Sequence, residues 1–154
     1  MPERPTIFVL NGPNLDQLGT REPEIYGHRT LEELEQLCRA EGETLAVDIA
    51  FRQDNAEHRI VNDIHQAARS AAGLVINPAA FTHYSYSIVD ALRACKCPIV
   101  EVHLTNLQAR SEGWRSVSLV SPIVNGVISG LGFEGYVAAI RWIANGLGRD
   151  PARE

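Results

Sequence analysis

The sequence predicts an α/β fold, a doubly wound sheet of five parallel strands between two helical layers. Two observations predict it: apolar, β-branched runs recur along the chain, and amphipathic helical patterns separate most of them. A chain of 154 residues, 45% hydrophobic and 21% charged, is long enough to bury a proper core as one domain. Strands are expected at Thr6 to Leu10, Leu45 to Phe51, Gly73 to Ile76 and Pro98 to Leu104, with a weaker fifth at Ser116 to Val120.

The helices follow from caps and spacing. Thr30-Leu31-Glu32-Glu33 is a capping box that opens a helix carrying Leu31, Leu34 and Cys38. Asn55 stands where it can cap a helix bearing Ile60, Ile64 and Ala68, and Ile88, Ala91, Leu92 and Cys95 fall at i, i+3, i+4 and i+7. A last helix from about Gly132 to Leu147 turns Val137, Ile140 and Ile143 inward and is stopped by Gly148, with Pro151 beyond. Short right-handed crossovers make a flavodoxin-like strand order the simplest arrangement, a three-layer α/β/α stack. One catalytic domain is expected over residues 1–154, with flexible tails at 1–5 and 149–154.

Composition excludes several functions. A net charge of -5 is the wrong sign for a nucleic-acid surface, so any anionic ligand must be met by local cations. Lys96 is the single lysine among fourteen basic residues. A lysine Schiff base is therefore not expected, and carboxylate recognition falls to arginine, whose planar fork suits it. Cys38, Cys95 and Cys97 lack the spacing of a metal cluster and read as reduced thiols. The opening Met-Pro-Glu-Arg-Pro does not read as a signal peptide, and no apolar run approaches the ~18 residues of a membrane span. A soluble, cytoplasmic protein is expected.

Parallel sheets of this kind bind ligands at the carboxyl ends of their strands. Asn11, Asn14, Gln53, Asn77, Glu101 and His103 all stand where apolar runs end. The long loop from Asn11 to Arg29 carries Arg21 and Tyr26 five residues apart, near enough for the guanidinium to favour a phenolate, although such a pair in a loop is also an ordinary surface feature. Asn77-Pro78-Ala79-Ala80-Phe81-Thr82-His83 leads into a helix, where backbone N–H groups can meet an anion or a hydroxyl; a plain structural loop fits equally. Glu101 and His103 share one face of the fourth strand, the usual arrangement for an acid or base oriented by a carboxylate. A metal held by His83, Glu101 and His103 is the less simple alternative. Arg110 and Arg115, beside Glu112, are candidates for a lid contact and for a substrate carboxylate, or are simply a solvated face.

In order and spacing, Asn11 to Leu15 (NGPNL), Leu18 to Gly27 (LGTREPEIYG), Asn77 to Ser85 (NPAAFTHYS), Glu101 to His103 (EVH) and Ser121 to Gly132 (SPIVNGVISGLG) resemble the type II 3-dehydroquinate dehydratase family. The resemblance implies a lyase that needs no cofactor or metal. It would convert 3-dehydroquinate to 3-dehydroshikimate by anti elimination, in the shikimate pathway or in quinate breakdown. It implies Tyr26 as base with Arg21 beside it, Asn14 supporting the enolate, and His103 as general acid held by Glu101. Asn77, His83, the backbone at Leu104 and Thr105, and Arg115 carry over as substrate contacts. Asp90 is implied to reach a neighbouring subunit's site in a dodecamer built from trimers. Ala109 to Arg115 is one residue longer than the family pattern, Val89 replaces a common arginine, and Ala56 a frequent histidine. A non-catalytic binding module of the same fold, or a dehydratase for another hydroxy-ketone acid, are the competing readings.

Overall fold

The structure, a computed structural model, describes residues 2–148. In chain order these form β1 (Thr6–Asn11), α1 (Pro23–Tyr26), α2 (Leu31–Leu45), β2 (Asp48–Gln53), α3 (Glu57–Ser70), β3 (Gly73–Asn77), α4 (Tyr86–Arg93), β4 (Ile99–His103), β5 (Gly126–Ser129) and α5 (Glu134–Gly146). All neighbouring strands pair in parallel, in the order β2-β1-β3-β4-β5. That is the expected flavodoxin-like order.

Alternation along the strands sends side chains to two cores. Ile7, Val9, Val75, Val100 and Val102 meet α2 and α5 on one face, while Phe8, Leu10, Leu74, Ile76 and Ile99 meet α3 and α4 on the other. β1 and β3 are buried almost throughout, as a sheet covered on both sides requires. Ile140 and Ile143 of α5 are essentially fully buried, each such burial contributing about 2–3 kcal/mol.

The capping box is present: Thr30 Oγ1 accepts from the Glu33 N–H and Glu33 Oε2 accepts from the Thr30 N–H. Three expectations are corrected. Ser116 to Val120 is not a strand; the Leu119 N–H donates to the Thr82 carbonyl at 2.8 Å, away from the sheet, and β5 lies at Gly126–Ser129, pairing with β4 from Val100 to His103. Asn55 does not cap α3, which begins after Ala56; Asp54 Oδ1 accepts the Ala56 N–H, while Asn55 Oδ1 accepts the Asn14 N–H. The second strand starts at Asp48, since Leu45 still belongs to α2 and Ala46 turns the chain with φ +56°. Residues 2–5 are exposed, but the Pro5 carbonyl accepts from the Asp48 N–H. The expected tail at 149–154, with Pro151, lies outside the described residues.

Gly73 lets α5 sit close on β3. A Cβ there would come within 2.3 Å of Ile143 Cγ2. Gly73→Ala is expected to cost about 1–3 kcal/mol, a fall in Tm of roughly 5 °C. Adding Ile143→Ala should return some of that loss in thermal unfolding, so that the double variant loses less than the two singles together.

Candidate active site

β1, β2 and β3 end in one polar row, since Asn11 pairs in register with both Gln53 and Asn77. Above the carboxyl ends of the strands opens a cleft of about 650 Å³, open solvent included. The first loop contributes Asn14, Arg21 and Tyr26 to its wall, the segment after β3 contributes Asn77 and His83, and β4 with its following loop contributes His103, Leu104, Thr105, Arg110 and Arg115. Ten expected residues thus share one cleft. Glu101 lies beneath it, fully buried, and Asp90 lies apart on α4, exposed in an outer groove with Tyr86 and Arg93.

The chemistry of β4 follows from its alternation. Val100 and Val102 face the α2 and α5 core, so Glu101 and His103 point to the other side. There the Glu101 carboxylate accepts four side-chain donors: the Thr82 hydroxyl at 2.6 Å, the Ser121 hydroxyl at 2.6 Å, the Ser118 hydroxyl at 3.0 Å and His103 Nε2 at 2.5 Å. Burial on its own would push this carboxyl up; the bonds from His103, Ser121 and Thr82 outweigh it and hold the group below its ordinary value of 4.5. An ionised Glu101 fixes the proton on His103 Nε2 and leaves Nδ1 as the nitrogen free for cleft chemistry.

His83 is handled differently. Its Nδ1 lies 2.6 Å from the Val117 carbonyl, an acceptor, so Nδ1 carries the hydrogen and Nε2 keeps a lone pair. Burial, with help from His103 and Arg115, pulls its pKa down, and the ring stands edge-on to Trp114 at 5.0 Å. A neutral imidazole in this tautomer accepts a hydrogen bond from a hydroxyl.

Tyr26 sits between two cations. Arg110 donates to its hydroxyl at 3.2 Å and also to Thr105 Oγ1 at 3.3 Å. Arg21 instead lies over the ring, 5.4 Å from its centroid, with Glu22 3.7 Å away. The guanidinium expected from Arg21 at the phenol oxygen therefore comes from Arg110, 84 residues along the chain. Burial tends to lower the Arg110 pKa, but Tyr26, Glu112 and Glu22 reverse this. Arg115 Nε is buried without a hydrogen bond among the described residues; Glu112 Oε1 is 3.3 Å away as an ion-pair partner. A planar carboxylate would complete it.

The sequence reading missed a second network. Tyr136 of α5 is fully buried, its hydroxyl donating to Asn11 Oδ1 at 2.7 Å and accepting from Asn77 Nδ2 at 2.9 Å. Asn77 Oδ1 accepts from the Ala79 N–H. These bonds orient Asn77 at the floor of the cleft. Asn14, Glu22 and Ala79 all hold positive φ, at +68°, +41° and +52°, so backbone strain gathers in the loops around the site.

A family model described as class II dehydroquinase matches residues 5–144. The chain belongs to the class II dehydroquinase family. It is 49% identical to a 3-dehydroquinate dehydratase of Sinorhizobium medicae, over 91% of this chain and 94% of that one. A type II dehydroquinase structure from Propionibacterium acnes superposes with a TM-score of 0.87 at 46% identity, covering 94% of this chain and 98% of the other. One from Butyrivibrio crossotus gives 0.89 at 38% identity, with coverage of 92% and 99%. No helix among the described residues is long and apolar enough to cross a membrane.

Because the Glu101 carboxyl is held low, its contribution to stability is complete above about 4.5 and is lost as the pH falls through its lower folded value. Glu101→Gln in this dehydroquinase should cost about 2–4 kcal/mol at pH 7. In denaturant melts the gap to the parent should hold down to about pH 4.5 and narrow steadily below it; a gap that widens there contradicts the ionised carboxylate.

Proposed function

We propose that this class II dehydroquinase dehydrates 3-dehydroquinate to 3-dehydroshikimate by anti elimination through an enolate, with Tyr26 as base and His103 as general acid. The observation that carries the reading is that Tyr26, hydrogen-bonded by Arg110, lines the same cleft as a histidine whose Nε2 is committed to a buried carboxylate. The names of the relatives support the substrate.

Tyr26 oxygen takes the proton from the carbon beside the ketone, and the electron pair moves onto the carbonyl oxygen. Arg110 and Arg21 compensate charge on the phenol oxygen, while Asn14 and Asn77 support the enolate. Collapse of the enolate forms the new carbon-carbon double bond and expels the hydroxyl. That hydroxyl takes the Nδ1 proton of His103 in its imidazolium form, whose other hydrogen stays on Nε2 toward Glu101, and leaves as water. His83 Nε2 accepts from a substrate hydroxyl, the backbone at Leu104 and Thr105 meets the carboxylate, and Arg115 pairs with it. The scheme uses no cofactor and no metal.

Purified protein given 3-dehydroquinate and EDTA is expected to develop the ultraviolet absorbance of the conjugated enone at an undiminished rate. Tyr26→Phe and His103→Ala should each lose about 10²–10⁴-fold in kcat. No absorbance from the parent protein would sink the reading, and full activity in Tyr26→Phe would refute the base.

The position of Asp90, exposed and outside its own chain's cleft, supports a shared site in a homo-oligomer, a dodecamer of four trimers. Mixed oligomers test it. Asp90→Ala and Tyr26→Phe chains, unfolded and refolded together, should regain activity that neither shows alone, since some sites then combine an intact Tyr26 with a neighbour's intact Asp90. A role for Asp90 confined to its own chain gives no recovery.

A further inference from the structure

The segment from Arg115 to Ser121 touches the site at several points. Arg115 lines the cleft, the Val117 carbonyl fixes the His83 tautomer, and Ser118 and Ser121 both reach Glu101. Ser118 is the most constrained of these. Its Oγ accepts the N–H groups of Val120 at 3.2 Å and Ser121 at 3.0 Å, and lies 2.8 Å from Thr82 Oγ1. A serine hydroxyl has one hydrogen and two lone pairs. With both backbone donors accepted, that hydrogen is left for Glu101, reached directly at 3.0 and 3.2 Å from the two carboxylate oxygens or through the Thr82 hydroxyl at 2.8 Å. Thr82 likewise spends its hydrogen on Glu101 Oε2.

We propose that Ser118 is a positioning residue for the acid of this site, holding Glu101 ionised and aimed at His103 Nε2 so that the proton delivered to the leaving group sits on Nδ1. This rests on the elimination proposed above. A buried carboxylate with every donor in place cannot take the histidine's proton for itself at low cost, whereas one missing a donor becomes a stronger base toward Nε2. The proton then shifts toward Glu101, and the imidazole has less to give at its other nitrogen. Ser118 acts through two intervening groups and does not touch substrate. Because the same hydroxyl anchors the turn that follows Arg115, Ser118 also sets the acid in register with the arginine that faces the cleft.

Three variants separate this from a merely structural role. Ser118→Ala should lower kcat about 10- to 100-fold with KM within about 2-fold, and Ser121→Ala, which removes the shorter 2.6 Å donor without disturbing the turn, should lower kcat at least as far. Ser118→Thr, which keeps the hydroxyl, should restore at least half of the parental kcat. Turnover in deuterium oxide gives a second readout: exchange of the proton beside the ketone depends on Tyr26, so Ser118→Ala should raise the ratio of deuterium in recovered substrate to product formed. The third readout needs no substrate, namely the downfield proton resonance of the His103 to Glu101 bond, absent in Glu101→Gln and displaced in Ser118→Ala. An unmoved resonance with parental kcat overturns the proposal. So does a loss carried by KM, or one that Ser118→Thr fails to restore, since either assigns Ser118 to holding Arg115 rather than the acid. If the parent protein does not turn over 3-dehydroquinate, the elimination itself fails, while the resonance still decides whether Ser118 governs the Glu101 and His103 pair.

Discussion

A carboxylate with no solvent contact is among the most demanding groups a small protein can bury, because the lost hydration must be replaced by bonds of good geometry. Glu101 meets that demand with donors from three separate stretches of chain: β4 itself, the turn after β3 and the segment before β5. None of these stretches is close to another in sequence. The parallel sheet brings them together, and the charge then fixes how the two loops lie. Much of the cleft's shape follows, since the Thr82 and His83 turn and the Arg115 segment are docked on each other partly through this one group.

Tyr136 has the corresponding role at the ends of β1 and β3. Its hydroxyl bridges Asn11 Oδ1 and Asn77 Nδ2, the two amide atoms that would otherwise be buried there without partners. The Asn11 amide in turn donates to the Arg52 carbonyl at 2.9 Å, so the row from β2 to β3 is tied together by side chains where the backbone ladder stops. The contrast between the two networks is chemical. Around Tyr136 every group is neutral, and burial pushes its phenol well above the ordinary tyrosine range. It can hold an amide in place but is a poor proton donor to solvent or base. Tyr26, by contrast, is half-buried in the cleft wall and stands between two arginines.

What the sequence made legible was what periodicity and local caps encode. Four strands, their parallel order and the Thr30 box can be read without long-range information, and so can the shared face of Glu101 and His103, because alternation alone implies it. The misread fifth strand shows the limit. Val117, Leu119 and their serine neighbours alternate as a half-buried strand does, yet the serines spend their hydroxyls on Glu101 and on local turns, and those bonds keep the backbone off the sheet. Asn55 failed as a cap for a similar reason, its side-chain carbonyl being taken by the Asn14 N–H from the loop after the neighbouring strand. Tyr136 carried no signal because an apolar helix face hides which of its members has a polar end to satisfy. A serine at 121 three positions after one at 118 was the one available hint, and on its own it reads as surface.

The pairing of Tyr26 with Arg110 rather than with Arg21 also has a physical reason. A guanidinium five residues away in a tight loop is constrained by the turn between them, and here α1, entered through Glu22 at positive φ, swings Arg21 over the ring face. Over the face it interacts with the ring's quadrupole, an attraction of about 0.5–1 kcal/mol at a partly exposed site. The hydrogen bond from Arg110 reaches the oxygen itself at 3.2 Å, and it binds the first loop to the loop after β4. Glu112 lies 3.9 Å from Arg110 and 3.3 Å from Arg115, so the two cations share one exposed counter-charge. Two guanidiniums held close by a carboxylate that solvent can readily take over leave the cleft locally cationic in a chain of net charge -5. Attraction of a carboxylate ligand is therefore a property of this rim rather than of the molecule's overall field, and at ordinary ionic strength, where screening sets in within about 10 Å, the rim is what a ligand at the cleft mouth experiences.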